Sequence, residues 1–216
     1  MRDNNKRELI LDAAERLLCQ ISDKDISVEK IAREAGIGKG SIYYYFESKD
    51  DIVNAVIERS YALAIEEYFS SIYECDNALD RIQALFRAII KQEFSDERKN
   101  IIIYFHLQDD LTLHMKMMMT AIKTLSPILQ RLLEEGTREG SLYTEYSEEG
   151  AEMIVAMLTL LLDNTLFPGD NESRSRKLRM YAGILEVCLR AEHGSFDFLF
   201  SPEAYKQAEP APNRSV

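Results

Sequence analysis

The chain contains no tryptophan and little cysteine. Cys19, Cys75 and Cys188 are odd in number, far apart and without a C-x-x-C pair, which suggests neither a disulfide framework nor a zinc ribbon and leaves reduced, structural thiols. Long hydrophobic runs are also missing. The longest, within 151–162, is about 12 residues and contains Glu152, short of the roughly 18 that span a bilayer, so it reads as a buried helix and no membrane partner is expected. The N-terminal MRDNNKRELILDAAERLL mixes charge and apolar residues at helical period. It has no uninterrupted apolar region followed by a small-residue cleavage site, and a cytoplasmic location is expected. Five prolines and nine glycines among 216 residues, with 46% hydrophobic and 29% charged residues, are the profile of a globular chain and not of a disordered or fibrous one.

Enzyme signatures are missing as well. The residues three before His106, His114 and His193 are Ile103, Leu111 and Arg190, so the Glu-x-x-His pairs of a carboxylate-metal helical bundle do not occur. H-E-x-x-H, G-x-S-x-G and G-x-x-x-x-G-K are absent, and the GIGKG stretch fails dinucleotide spacing. Neither catalysis nor a cofactor is expected.

A net charge of -11 opposes a nucleic-acid partner at first sight, because phosphate neutralisation needs Lys and Arg. Its distribution matters more. Residues 1–60 carry 10 Lys and Arg against 12 Asp and Glu, leaving 16 against 25 for residues 61–216. The acid is concentrated in the later part, and an acidic body discourages non-specific adhesion to DNA.

Along the chain, Leu9/Ile10, Ala13/Ala14 and Leu17/Leu18 recur every four residues and predict a helix over 5–21. Ser27 stands before Val28, Ile31 and Ala32 with Glu29 in the first turn, the pattern of an N-cap. A helix over 28–35 follows, and Gly36 ends it where a left-handed residue is needed. Lys39 to Phe46 forms a second segment too short to be stable alone. Ser48-Lys-Asp-Asp then opens a long helix to Tyr73, with apolar positions at Ile52, Val56, Leu63 and Tyr68. Further helical periods cover 77–94, 98–108, 111–135, 147–167 and 172–192. No stretch alternates like a strand, so an all-α architecture is expected. Pro127 should kink its helix, and Gly136 and Gly140 mark the loop after it. Phe196, Phe198, Leu199 and Phe200 are expected to dock on the body. The tail over 204–216, ending AEPAPNRSV, has nothing to bury and is expected to be mobile.

Residues 27–46, SVEKIAREAGIGKGSIYYYF, place a capped helix, a glycine turn and a second short helix in succession, which is helix-turn-helix geometry. In that arrangement the first residues of the second helix reach base edges in the major groove. Lys39, Gly40, Ser41 and Tyr43 to Tyr45 then form the reading face. Ser27, the cap of the first helix, and Lys49 join them as candidate DNA-binding residues; Lys49 adds an ammonium at the start of the next helix, whose amide dipole favours phosphate. Gly40 permits close backbone approach, Ser41 can donate to phosphate or base, and tyrosines suit a thymine methyl or a phosphate oxygen. Ile42 and Phe46, four apart, form the inward stripe. Of Tyr43, Tyr44 and Tyr45, at least one must then face outward.

AGIGKGSIYYYFESKDDIV resembles the signature of the TetR family of bacterial regulators, matching at Ala35, Gly36, Lys39, Gly40, Ser41, Ile42, Tyr43, Tyr45, Phe46, Lys49 and Ile52. The match covers roughly the first 60 residues. Gly38 departs from it, standing where the family often has a serine or threonine. The resemblance implies an N-terminal three-helix DNA-binding domain over 1–48 and a larger helical ligand-binding and dimerisation domain over 49–203. It implies a repressor that binds double-stranded operator DNA and answers to a small-molecule effector. It also implies a homodimer through the last two long helices, here near 151–167 and 178–191. Two half-sites about 34 Å apart themselves require a fixed two-fold partner.

Between 61 and 130, Tyr61, Tyr68, Phe69, Phe86, Phe94, Tyr104, Phe105, His106, Met115, Met118 and Met119 are pocket candidates, since aromatic and methionine side chains adapt to apolar ligands, although they also fill cores. His106, Asp110 and His114 are four apart and would share one face of an unbroken helix, a possible metal set. Such sets also occur on ordinary solvated faces, and Asp109-Asp110 could instead open a new helix. Effector sensing through a protein partner or a metal is the alternative to an organic ligand.

Overall fold

A computed structural model describes residues 2–20, 26–91, 111–163 and 166–201. All regular structure among them is helical: α1 (Arg2–Gln20), α2 (Val28–Glu34), α3 (Lys39–Ile42), α4 (Lys49–Tyr73), α5 (Ala78–Lys91), α6 (Leu111–Glu139), α7 (Ser147–Leu162), α8 (Asn171–Cys188) and a 3₁₀ turn over Asp197–Phe200. The described chain falls into two compact units, Met1–Ala64 with Phe94–Thr120, and Ile65–Glu93 with Ala121–Val216. The expected helix over 98–108 and the tail over 204–216 lie outside the described residues.

In the first unit, Ile10, Leu11, Ala13, Ala14 and Leu18 of α1 pack with Ile31, Ala32, Ile42, Phe46, Ile52, Val56 and Met117. Leu9 is exposed: at 100° per residue it falls outside the stripe centred on Ile10 and Ala14. The first half of α4 belongs to this unit. Arg59 reaches back to α1, where its guanidinium donates to Glu8 (3.1 Å), Asp12 (2.7 Å) and Glu15. These three carboxylates recur at helical spacing along one side of α1 and share one cation.

In the second unit, Arg81 of α5 pairs with Glu135 of α6 at 2.9 Å, and the Glu139 carboxylate accepts from the Ala78 amide at 2.9 Å. Tyr181 of α8 donates its hydroxyl to the Ile154 carbonyl of α7 at 2.6 Å, which satisfies a buried polar group that would otherwise be costly. Phe196 and Leu199 are fully buried. Phe196 and Phe198 each stack at 6.4 Å from Phe86, in the range of favourable aromatic pairs.

Several helix ends differ from the sequence expectation. The helix expected to end at 135 runs on to Glu139 and passes through Pro127 unbroken. Gly136 therefore sits inside α6 and not in the loop: a Cβ there would meet Leu142 Cγ at 2.7 Å, so glycine admits the returning chain. Gly140, at φ +78°, makes the turn. Finally, α7 stops at Leu162 and not at 167, because Asp163 turns extended and its carboxylate accepts from the Leu166 amide at 3.2 Å, ahead of Pro168-Gly169, which cannot continue a helix.

Candidate nucleic-acid interface

Local sequence places each part of the motif. Ser27 caps α2, its hydroxyl accepting from the Lys30 amide at 3.2 Å. At the other end Gly36 adopts φ +67°, its amide donates to the Arg33 carbonyl at 3.2 Å and that of Ile37 to the Ala32 carbonyl at 3.0 Å. These are the two bonds of a Schellman stop. The chain reverses there, and α2 packs against α3.

Only Lys39–Ile42 is α-helical, and Tyr43 to Tyr45 continue as a turn, so the expected segment over 39–46 is half helix and half turn. Gly38 is the N-cap of α3 and provides no side-chain bond, as its lack of a hydroxyl requires. Tertiary packing holds the segment: Ile42 is fully buried and Phe46 nearly so, while the Tyr45 and Phe46 amides donate to the Ile42 carbonyl at 2.9 and 3.0 Å.

With Ile42 and Phe46 inward, the three tyrosines separate. Tyr43 is 50% and Tyr44 74% exposed. Tyr45 packs partly against the core and stands edge-on to Tyr44 with ring centres 5.0 Å apart. Lys39, Gly40 and Lys49 are exposed and Ser41 is half-buried. A Cβ on Gly40 would meet nothing within 4 Å, so its backbone is open to an approaching surface. Ser48 caps α4, accepting from the Asp51 amide at 3.1 Å. Lys39, at the start of α3, pairs with Glu29 of α2 and holds its ammonium 5.9 Å from the centre of the Tyr43 ring. Sequence reasoning missed this Glu29–Lys39 pair; ten residues separate the partners, and only the Gly36 reversal brings them together.

The ligand-pocket candidates are placed less completely. Phe86 is core, packed against Phe196 and Phe198. Met118 is buried, whereas Met115 and Met119, four apart, face outward. Tyr61, Tyr68 and Phe69 lie in α4, but their side chains are outside the described set, as are Phe94, Tyr104, Phe105, His106 and Asp110 altogether. His114 is buried. Among the described residues no group of three His, Cys, Asp or Glu could hold a metal ion, and the proposed set with His106 and Asp110 falls outside them. No helix of the described residues is long and apolar enough to cross a membrane.

Beyond the motif, α7 and α8 each carry an exposed apolar stripe. Met153, Met157 and Leu160 recur at helical spacing on α7, Met180 and Val187 on α8, with Met153 70%, Met180 68% and Val187 79% exposed.

Comparison with known proteins gives one answer for both regions. Residues 10–56 match the family model described as "Bacterial regulatory proteins, tetR family", and residues 104–184 match "Tetracyclin repressor-like, C-terminal domain". Together the two models span more than half of the chain. The fatty acid metabolism regulator protein of Bacillus subtilis is 27% identical over 160 residues, covering 73% of this chain and 79% of the relative. Among solved structures, RolR in complex with resorcinol superposes with TM-score 0.68 at 17% identity, covering 99% of this chain and 98% of the other. The regulator FadR of Bacillus subtilis in complex with stearoyl-CoA gives 0.53 at 22% identity, covering 86% and 99%. Helix-turn-helix head, helical body and family models agree: the chain belongs to the TetR family of bacterial transcriptional regulators.

Proposed function

We propose that this regulator is a homodimeric, cytoplasmic repressor whose α3 segment reads operator DNA and whose helical body releases the operator when a small, largely apolar effector binds. The observation that carries the DNA-reading part is the split of Lys39 to Phe46 into a buried side, Ile42 and Phe46, and an exposed side, Lys39, Gly40, Tyr43 and Tyr44. Core packing accounts for the first set. It does not account for the exposure of two adjacent tyrosines, and amphipathic rings beside an ammonium suit base edges and phosphates.

Self-association rests on the apolar stripes of α7 and α8, which comprise Met153, Met157, Leu160, Met180 and Val187 and carry no side-chain hydrogen-bond donor. Contiguous exposed apolar surface marks an interaction site, and a two-fold partner is what two half-sites demand. For the effector, the fold is one that holds resorcinol in RolR and stearoyl-CoA in FadR, which supports an apolar or amphipathic organic ligand over a metal or protein signal. Effector and operator then select different spacings of the paired α3 segments, and linkage requires that each weaken the other equally.

The test is a duplex selected by the protein from a randomised pool, followed by footprinting on genomic DNA. The proposal expects a two-fold symmetric protected site, with neighbouring genes that name the effector class. A non-symmetric site, or no selected sequence, contradicts it.

A further inference from the structure

Glu29 is a carboxylate standing where a DNA-reading head should want none. It lies in the first turn of α2 with its side chain 57% exposed, and it grips the ammonium of Lys39, 48% exposed, across the turn. The fold does not need this pair. Ser27 already caps α2 and Gly36 already closes it, and exposed ion pairs contribute little to stability. The Lys39 bond holds the Glu29 carboxyl below its usual range, and the Glu29 bond holds the Lys39 ammonium above its own, so both stay charged at neutral pH.

The pair's effect is on where the lysine can go. A free lysine is a compact charge on a flexible stem that binds any phosphate within reach, and such contacts carry no sequence information. Here the Lys39 ammonium is tethered between the Glu29 carboxylate and the face of Tyr43, 5.9 Å from its ring centre. Tethering removes one phosphate-seeking cation from the encounter with arbitrary DNA. It also holds that cation on the surface occupied by Tyr43.

We propose that Glu29 is a specificity-determining residue of the DNA-binding head: through its grip on Lys39 it suppresses binding to arbitrary sequence and presents the ammonium to a base edge of the operator. This rests on α3 being the DNA-reading segment. The experiment compares two duplexes across a salt series by fluorescence anisotropy, one selected by the wild-type dimer from a randomised pool and one a scramble of equal length and composition. Glu29→Gln tightens the scramble roughly threefold and steepens its salt dependence by about one, while the selected duplex changes less, so the preference ratio falls. Adding Lys39→Ala in the Glu29→Gln background abolishes the gain. Because Glu29 also favours the α2 N-terminus, Glu29→Asp is the guard against a folding effect: it keeps the charge but shortens the reach, and it too lowers the ratio. Equal change on both duplexes, no change on the scramble, or a wild-type ratio in Glu29→Asp overturns the role of Glu29. Failure of the wild-type protein to select any preferred duplex would instead remove the DNA-reading face on which the proposal stands.

Discussion

The DNA-binding head and the last two long helices expose large side chains of opposite chemistry. On the α3 segment these are Tyr43 and Tyr44, flanked by Lys39 and Lys49; on α7 and α8 they are Met153, Met157, Leu160, Met180 and Val187. Tyrosine and lysine carry a polar tip on an apolar stem and can meet a wet, charged partner without losing hydrogen bonds. Methionine and valine offer nothing to water and stabilise only when another apolar surface covers them. The side-chain chemistry therefore fits the different partners proposed for the two regions, a phosphate-bearing duplex for one and a second copy of the chain for the other.

That contrast can be broken most forcefully at the body. Val187→Glu places a charge at the most exposed position of the α8 stripe, near the end of the helix, and self-association should weaken by at least about a hundredfold, converting dimer to monomer by light scattering. An unchanged mass would remove the dimer role of that stripe. Within the head, Ile42→Ala and Tyr44→Ala separate the two sides of one short segment. Ile42 is fully buried, and its truncation should cost about 2–5 kcal/mol by chemical denaturation. Tyr44→Ala should leave stability within about 0.5 kcal/mol while lowering affinity for a selected duplex about tenfold. Lys49→Ala has a smaller effect, a uniform weakening across sequences with the salt slope reduced by about one. The smallest effect lies just past α8, where His193 pairs with Glu186 at 3.0 Å. That bond raises the His193 pKa above its ordinary 6.5, so the pair's stabilisation is complete below that value and lost as pH rises through the raised one. An NMR titration should show the raised value, and Glu186→Gln should return it toward 6.5.

Where function depends on local pattern, it was legible in the sequence. The Ser27 cap, the Gly36 stop and the inward pair Ile42 and Phe46 each follow from bonds or periods spanning a few residues, and the structure has them. What depended on distant chain was not legible. Gly136 looks like a loop residue until Leu142 folds back over it. The Arg59 clamp on Glu8, Asp12 and Glu15 joins residues some fifty positions apart, and the Glu29–Lys39 pair exists only because a left-handed glycine turns the chain between them. Among the tyrosines, periodicity required at least one to face outward, but which of them do depended on α3 ending at Ile42, four residues before the motif does.

The most direct test of the DNA-reading face is the binding of a Tyr43→Ala/Tyr44→Ala double variant to a selected duplex and to its scramble, with mass and melting temperature measured in parallel. The account predicts a stable dimer whose affinity for the selected duplex falls by at least about tenfold, toward that for the scramble. A stable dimer that still prefers the selected duplex as strongly as the wild type does would contradict it.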